Sequence, residues 1–215
     1  MSPPRARLDR DLIVATARTM VAEGGRSALS LRPLGARLGV TAPALYAHFD
    51  SKEAILLAVA ETEFARLIER FELAIQGVRP PIDRIKAQSH AYVQHALEHP
   101  ALFEILFVFR PAWSPNPDAP ELPIASKAFE ISAAAVEDAI AAGLLGDAEP
   151  LMASLTIWSA VHGVATLLLA RPALGAEFEA ALVDSVINSV VAGLAAGVPL
   201  AAATRSSPRR AKGDH

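Results

Sequence analysis

The chain of 215 residues carries 20 Lys and Arg against 23 Asp and Glu, and 52% of its residues are hydrophobic. This composition is typical of a globular protein and excludes a chain that is disordered throughout. The sequence has no cysteine, which excludes a disulfide framework and a thiolate metal site and is consistent with a reducing compartment.

The net charge of −3 conceals an uneven distribution along the chain. Residues 1–54 hold eight basic and five acidic residues, residues 55–203 hold eight and seventeen, and residues 204–215 hold four and one. A protein that binds nucleic acid needs a basic face rather than a basic total, so the positive N-terminal segment is informative. The first eleven residues lack an apolar run, so we expect no secretory signal and a cytoplasmic location.

Apolar residues recur at helical spacing along most of the chain, and clusters of Gly and Pro divide it into about nine helices. The sequence therefore predicts an all-α fold. The first predicted helix covers residues 10–23 and ends at Gly24 and Gly25. The polar segment 204–215 shows no periodicity and is predicted to be a disordered basic tail.

Two short helices joined by a glycine turn follow the first helix. Ser30 is a favourable N-cap for a helix over residues 30–38, Gly39 supplies the turn, and Thr41 caps a short helix over residues 42–48. This arrangement predicts a helix-turn-helix for binding DNA, because a two-turn helix buries little and leaves its outer residues free to enter a major groove.

A longer helix is predicted to follow the helix-turn-helix. Asp50 is expected to cap it, with Glu53 three residues later in a variant capping box.

The segment SLRPLGARLGVTAPALYAHFDSKEAI at residues 30–55 resembles the N-terminal domain of the TetR family of bacterial regulators. The resemblance implies that Tyr46 and Lys52 contact phosphates, that His48 lies at or near the backbone, and that Arg32 reaches a phosphate or a base. It also implies a set of residues at base edges and a basic arm near the minor groove. The first set is Thr41, Ala42, Pro43 and Ala44; the arm holds Arg5 and Arg7; Ser30 completes the expected DNA-binding set.

These assignments have structural alternatives. Tyr46 is also consistent with half-buried packing, Lys52 with a solvated helix start, and Arg5 and Arg7 with a solubilising tail. Because Ala42 and Ala44 offer only methyl groups, we expect sparse direct base readout and a contribution from DNA shape.

Residues 55–203 are predicted to form a helical domain for regulation and dimerisation, beyond the N-terminal domain at residues 1–54. Residues 151–170 carry no formal charge and are long enough to cross a bilayer. Their Ser, Thr, His and Gly content, without a flanking basic cluster, favours a helix buried among others, so we expect no membrane partner.

Trp158, His162 and Gly163 form a Trp-x-x-x-His-Gly pattern that resembles a WHG-type C-terminal domain of some TetR proteins, as does the segment HPALFEILF at residues 99–107. Trp158 and His162 share a helix face and either line a ligand pocket or pack in the core, with packing favoured. A loop over residues 111–123 is placed to gate a pocket. The candidate pocket residues are His90, Gln94, Phe103, Phe107, Trp113, Trp158 and His162.

Helices over about 148–170 and 176–196 are expected to pair with their copies in a homodimer. One short recognition helix reads too few bases to be specific alone, which favours this arrangement over packing of the same face within one subunit. The expected dimer face is Val183, Val186, Ile187, Val190, Val191 and Leu194.

A different hypothesis comes from His95, Glu98 and His99, which match the His-x-x-Glu-His zinc pattern of some proteases. Pro100 is expected to end the helix there, and the short pattern arises easily by chance, so the sequence favours a protein that is not an enzyme and needs no metal or cofactor. The prediction is a homodimeric repressor that a largely apolar small molecule releases from a near-palindromic operator in double-stranded DNA. A TetR-type activator, or a regulator without a small-molecule inducer, is the alternative.

Overall fold

The computed structural model describes residues 8–109, 122–170 and 175–197. Within these ranges the chain forms nine α-helices and no strand, which confirms the predicted all-α fold and number of helices. Several predicted features lie outside the described residues: the tail at 204–215, the arm residues Arg5 and Arg7, Trp113, and most of the 111–123 loop. The helices are α1 Arg10–Ala28, α2 Leu31–Leu38, α3 Ala42–Leu45, α4 Lys52–Ala74, α5 Pro81–Glu98, α6 Pro100–Leu106, α7 Pro123–Ala141, α8 Pro150–Ala170 and α9 Ala176–Ala195.

Helix α1 begins where Asp9 caps it, because the Asp9 carboxylate accepts a hydrogen bond from the Leu12 backbone N–H at 2.8 Å. Its regular part ends at Gly24 and Gly25, whose backbone angles leave the helical region, as the sequence predicts. The face that includes Ile13 and Ala17 is buried against the neighbouring helices.

The turn between α2 and α3 depends on Gly39, which adopts the left-handed conformation with φ 68°. Ser30 and Thr41 occupy the predicted N-cap positions, but neither side chain makes a capping hydrogen bond. The regular part of the recognition helix is shorter than predicted and covers only Ala42–Leu45.

The N-cap residue of helix α4 differs from the predicted one. Ser51, not Asp50, is the N-cap residue, and its hydroxyl accepts a hydrogen bond from the Ala54 backbone N–H at 3.0 Å. Asp50 is exposed one residue before the cap. Serine and aspartate cap equally well, so propensity alone does not choose between adjacent candidates.

Helix α4 joins the two parts of the molecule. It packs against α1, α5, α6 and α7, and it runs without interruption across the division at residue 54 that the sequence predicts. Helices α5, α7, α8 and α9 form the remaining bundle, with α6 inserted between α1 and α4. A shift of α4 therefore acts on the helix-turn-helix and the bundle together.

Three of the six residues of the predicted dimer face on α9 are buried within one subunit. Val183, Ile187 and Leu194 are between 1% and 6% exposed and belong to the chain's own core. Val186, Val190 and Val191 are half-buried against that core. The apolar stripe of α9 therefore packs within one subunit, largely against α8, which was the alternative interpretation.

Two helices in the described residues, α8 and α9, are long and apolar enough to span a membrane by length and composition. Helix α8 contacts α5, α7 and α9 and buries Ala153, Ile157 and Leu168, which is the pattern of a core helix. The packing of α8 among other helices therefore explains why residues 151–170 carry no charge.

Candidate DNA-binding surface and ligand cavity

The recognition segment, residues 41–48, presents its outer side chains to solvent. Thr41 and Pro43 are exposed, the Tyr46 side chain is 55% exposed, and Ala42 and Ala44 are half-buried. Leu45, 1% exposed, anchors the segment from below. The described residues of the predicted DNA-binding set thus include a continuous outward surface that a major groove about 12 Å wide can admit.

The remaining described members of the set lie around this segment. Ser30 and Arg32 are exposed at the start of α2, whereas His48 and Lys52 are half-buried at the end of the segment and the start of α4. The set therefore combines hydroxyl groups, an imidazole and two cations, the donors that bind phosphate oxygens.

Gly35 sets the distance between α2 and the recognition segment. A Cβ atom at this buried position would lie 2.9 Å from the carbonyl oxygen of Val40 and 3.3 Å from the backbone nitrogen of Ala42. Since both are backbone atoms, a larger side chain at position 35 forces the turn away from α2. The absence of a side chain here fixes how closely the recognition segment is held.

Arg10 is a positioning residue that the sequence analysis missed. Its guanidinium donates a hydrogen bond of 2.7 Å to the carbonyl oxygen of His48 and lies 4.0 Å above the ring of Phe49. Arg10 thereby ties the end of the recognition segment to α1. Its place at the start of an amphipathic helix gave no sign of a partner 38 residues away.

The C-terminal bundle contains a cavity of about 130 Å³ among α4, α5, α7 and α8, with further walls from the end of α6 and from Phe109. Its lining is mostly aromatic and aliphatic, and Phe107 and Trp158 of the predicted pocket set belong to it. Polar groups reach the wall from Gln88, Tyr92 and three serines.

Trp158 and His162, the residues of the Trp-x-x-x-His pattern, both form hydrogen bonds with Tyr92 at this wall. The Tyr92 hydroxyl lies 3.0 Å from His162 Nδ1 and also bonds with Trp158. Because an indole N–H only donates, the Tyr92 oxygen accepts from Trp158, and the tautomer of His162 sets the direction of the second hydrogen bond. Burial raises the pKa of the Tyr92 hydroxyl and lowers that of His162, which keeps both groups uncharged at neutral pH.

The two residues of this pattern therefore differ in position. Trp158 lines the cavity, whereas His162 lies behind Tyr92 with its ring 4.5 Å from that of Phe107. Phe103, 2% exposed, packs edge-on against Tyr92 and is a core residue. Trp158 thus lies at the cavity wall, whereas His162 is half-buried beside it and does not line the cavity.

Besides Phe103 and His162, two more of the predicted pocket residues do not line the cavity. His90 points towards α9, where its Nε2 lies 2.9 Å from the Asp184 carboxylate, and Gln94 is exposed. The polar residues of α5 that turn towards the cavity, besides Tyr92, are Gln88 and Ser89. Their spacing from Ile85 and Tyr92 at three and four residues is the helical signal that identifies this face.

The proposed zinc ligands do not converge. Glu98 pairs with Arg70 of α4, His95 is 1% exposed, and the rings of His95 and His99 are 6.4 Å apart and nearly perpendicular. In the parts of the chain that the structure describes, no group of three or more His, Asp or Glu side chains is arranged to hold a metal ion. This geometry contradicts the zinc hypothesis.

His95 instead belongs to a buried polar junction between α1, α4 and α5. Arg18 Nε donates to Glu63 Oε1 at 2.5 Å, and Glu63 is fully buried. Arg18 Nη2, Glu63 Oε2 and both ring nitrogens of His95 are buried without a hydrogen-bond partner. Burial lowers the pKa of His95 to about 4, against the opposing effect of the Glu63 carboxylate. This junction lies where the helix-turn-helix meets the bundle.

Comparison with known proteins agrees with these two sites. Residues 13–59 match the family model described as bacterial regulatory proteins, tetR family, and residues 85–194 match the tetracyclin repressor-like C-terminal domain. An HTH-type transcriptional regulator of Mycobacterium tuberculosis is 30% identical over 193 residues, which covers 90% of this chain and 83% of the relative. The class C tetracycline repressor protein of Escherichia coli is 44% identical over 55 residues, 26% of this chain and 25% of that protein.

Solved structures show the same architecture. A protein from Rhodococcus sp. RHA1 superposes with a TM-score of 0.75 at 28% identity, over 91% of this chain and 100% of that one. A TetR variant from Acinetobacter baumannii in complex with minocycline has a TM-score of 0.62 at 24% identity, over 87% and 96%. The helix-turn-helix, the helical bundle and both family matches together show that this chain is a DNA-binding transcriptional regulator of the TetR family.

Proposed function

We propose that the protein is a homodimeric repressor that binds a near-palindromic operator and leaves it when a small molecule occupies the bundle cavity. The observation that carries the DNA-binding part is the exposed recognition segment, held on α1 by Arg10 and on α2 by the close approach at Gly35. In a dimer, two such segments enter successive major grooves about 34–36 Å apart.

The proposed contacts divide into positioning and base readout. Tyr46 and Lys52 contact phosphates, with His48 nearby, and Thr41 with its small neighbours faces the bases. Arg32 extends the positive surface from α2, and Arg5 and Arg7, outside the described residues, are proposed to form an arm. Since alanine methyls discriminate weakly, positioning contacts supply most of the affinity.

Phosphate contacts are tested by the salt dependence of binding to an operator selected from genomic fragments. Lys52→Gln should reduce the slope of log affinity against log salt by about one, and Tyr46→Phe should weaken binding to all DNA sequences by similar factors. Arg79→Gln, at an exposed cation in the loop after α4, is the matched control and should leave the slope unchanged. Unchanged affinity in both Tyr46→Phe and Lys52→Gln would contradict the proposed contacts.

The proposed dimer uses the outer faces of α8 and α9. These faces expose Leu167 at 49% and Phe178 at 53%, together with small residues such as Gly163. Glycine inside a helix costs about 1 kcal/mol relative to alanine, yet a Cβ at Gly163 would meet nothing within 4 Å in its own chain. A second subunit that approaches closely at this point explains the glycine.

The ligand-responsive part rests on the cavity in the bundle, whose walls include α4. A molecule that binds better to one position of α4 than another shifts the dimer between states with different spacing of the recognition segments. The Acinetobacter protein with minocycline shows that a related fold holds a small molecule. A ligand that raises the melting temperature and lowers operator affinity supports this proposal, whereas a cavity ligand without effect on DNA contradicts it.

Regulation without catalysis and a cytoplasmic location complete the proposal. The family consists of regulators, and the two apolar helices pack against the rest of the bundle in one subunit and are proposed to pair in the dimer. An activator is distinguished from a repressor by transcription from the bound promoter in the presence and absence of the protein.

A further inference from the structure

The cavity wall carries no charged side chain among the residues that the structure describes. Every described side chain that lines it is uncharged, and most are aromatic or aliphatic. An ionised ligand would lose its hydration on entering and gain no opposite charge, which costs several kcal/mol. The cavity therefore selects against carboxylates and ammonium groups.

Most polar groups on the wall already have partners. The hydroxyls of Ser89 and Ser154 donate to the carbonyl oxygens of Ile85 and Pro150 at 2.7 and 2.8 Å, and Ser132 donates to its own helix in the same way. The Tyr92 hydroxyl is held by His162 and Trp158. These groups give the wall little capacity to donate to a ligand.

Gln88 is the exception. Its side chain is 4% exposed, and its Nε2 donates to the Ile131 carbonyl oxygen at 3.3 Å. Within the described residues, no hydrogen bond reaches its carboxamide oxygen, although the residue lines the cavity. This oxygen is therefore available as an acceptor at the cavity wall, and a ligand group that donates to it gains a hydrogen bond that contributes about 0.5–1.5 kcal/mol.

The volume limits the size of the ligand. A dry apolar cavity of about 150 Å³ holds a benzene molecule, and this cavity measures about 130 Å³. Without rearrangement, it accommodates one ring with a short substituent.

We propose that the cavity binds an uncharged, single-ring-sized molecule that is apolar except for one O–H or N–H group, which donates to the Gln88 carboxamide oxygen. This inference rests on the proposed ligand response, because it specifies the chemistry of the same site. It makes Gln88 the residue that determines specificity.

Four probes test the proposal in the full-length protein: toluene, p-cresol, benzamide and benzoate. Calorimetry gives their affinities, and Trp158 fluorescence in a Trp113→Phe background locates them, since the chain has two tryptophans. We expect p-cresol to bind about five- to tenfold tighter than toluene, and benzoate at least about a hundredfold weaker than benzamide.

The Gln88→Leu variant should bind p-cresol and toluene equally, whereas Gln94→Leu, at an exposed glutamine on the same helix, should keep the wild-type preference. Benzoate within tenfold of benzamide, an unchanged preference in Gln88→Leu, or no response of Trp158 to any probe overturns the proposal.

Operator affinity, measured in parallel, separates this inference from the ligand response. If the neutral probes bind as expected but operator affinity does not change, the cavity chemistry stands and the ligand response fails. If benzoate binds as tightly as benzamide and releases the operator, the ligand response stands and the proposed chemistry fails.

Discussion

At the scale of single residues, the DNA-binding surface depends on side chains that do not face DNA. Gly35 lets α2 approach the turn, and Arg10 bonds to the carbonyl oxygen of His48 and stacks on Phe49. Recognition needs the outer side chains at fixed positions, so these supporting contacts affect affinity as directly as the contacts with phosphate.

Gly35→Val should lower the free energy of unfolding by about 1–3 kcal/mol, because the new side chain overlaps the backbone at Val40. Operator affinity should fall as well, since the turn moves. Ala36→Val, at the exposed neighbouring position, carries the same helix penalty without the overlap. Denaturant unfolding and gel shifts check both effects, and equal behaviour of the two variants would contradict the role of Gly35.

Arg10→Ala should weaken operator binding by roughly 1–2 kcal/mol, through loss of one hydrogen bond and one cation–π contact. Arg10→Lys keeps the charge but loses the planar guanidinium that makes both contacts. If Arg10 acts by positioning the recognition segment, the lysine variant binds the operator weakly at all salt concentrations. Full recovery by lysine would instead identify Arg10 as a simple phosphate contact.

At the scale of helices, α4 carries the connection between the two sites. Glu63 faces the junction with α1, and its neighbour Phe64 lines the cavity. On α5, Tyr92 lines the cavity and His95, three residues later, belongs to the same junction. The junction and the cavity are therefore adjacent on both helices.

Glu63→Leu should destabilise the protein by about 3–5 kcal/mol, because it leaves the Arg18 cation without its partner. The double variant Arg18→Met with Glu63→Leu should recover most of this loss, since it removes both charges. Glu61→Leu, on the exposed side of α4, is the control for the apolar substitution. A double variant that is no more stable than Glu63→Leu would show that the pair is not the cause.

Stability should also depend on pH through His95. In the unfolded chain this group titrates near 6.5, whereas in the folded chain its pKa is about 4, so only the unfolded chain takes up a proton between these values. The free energy of unfolding should therefore decrease by about 3 kcal/mol as the pH falls from 6.5 to 4. His95→Leu should remove this pH dependence. If the free energies of unfolding of the wild type and the variant differ by the same amount at every pH, the prediction is contradicted.

At the scale of the whole molecule, the apolar residues of α9 divide between two roles. Val183, Ile187 and Leu194 build the core of one subunit, while the opposite side of the helix, with Phe178, stays exposed. Phe178 is a large exposed aromatic side chain with small residues such as Ala181 nearby on the helix, and covering it is the physical reason to place the proposed dimer there.

Gly163→Arg should yield a folded monomer near 22.7 kDa by sedimentation, because the side chain fits its own subunit but obstructs a close neighbour. Operator affinity should fall sharply, since a monomer contacts one half-site. Ala141→Arg, at the exposed end of α7, should keep the mass and the operator affinity of the wild type. A Gly163→Arg protein that keeps the wild-type mass would place the interface elsewhere.

The sequence by itself determined the helical fold, the number of helices in the described chain, and the helix-turn-helix, because periodicity and glycine breaks are local signals. It also placed Trp158 and His162 on one helix face, but left open whether they line a pocket or pack in the core. Only the tertiary structure decided which side of α9 is buried, which polar residues of α5 turn inward, and that Ser51 caps α4. The first two choices depend on contacts between distant segments, such as α8 with α9, which local patterns do not encode. The third is a choice between two adjacent residues of equal capping propensity.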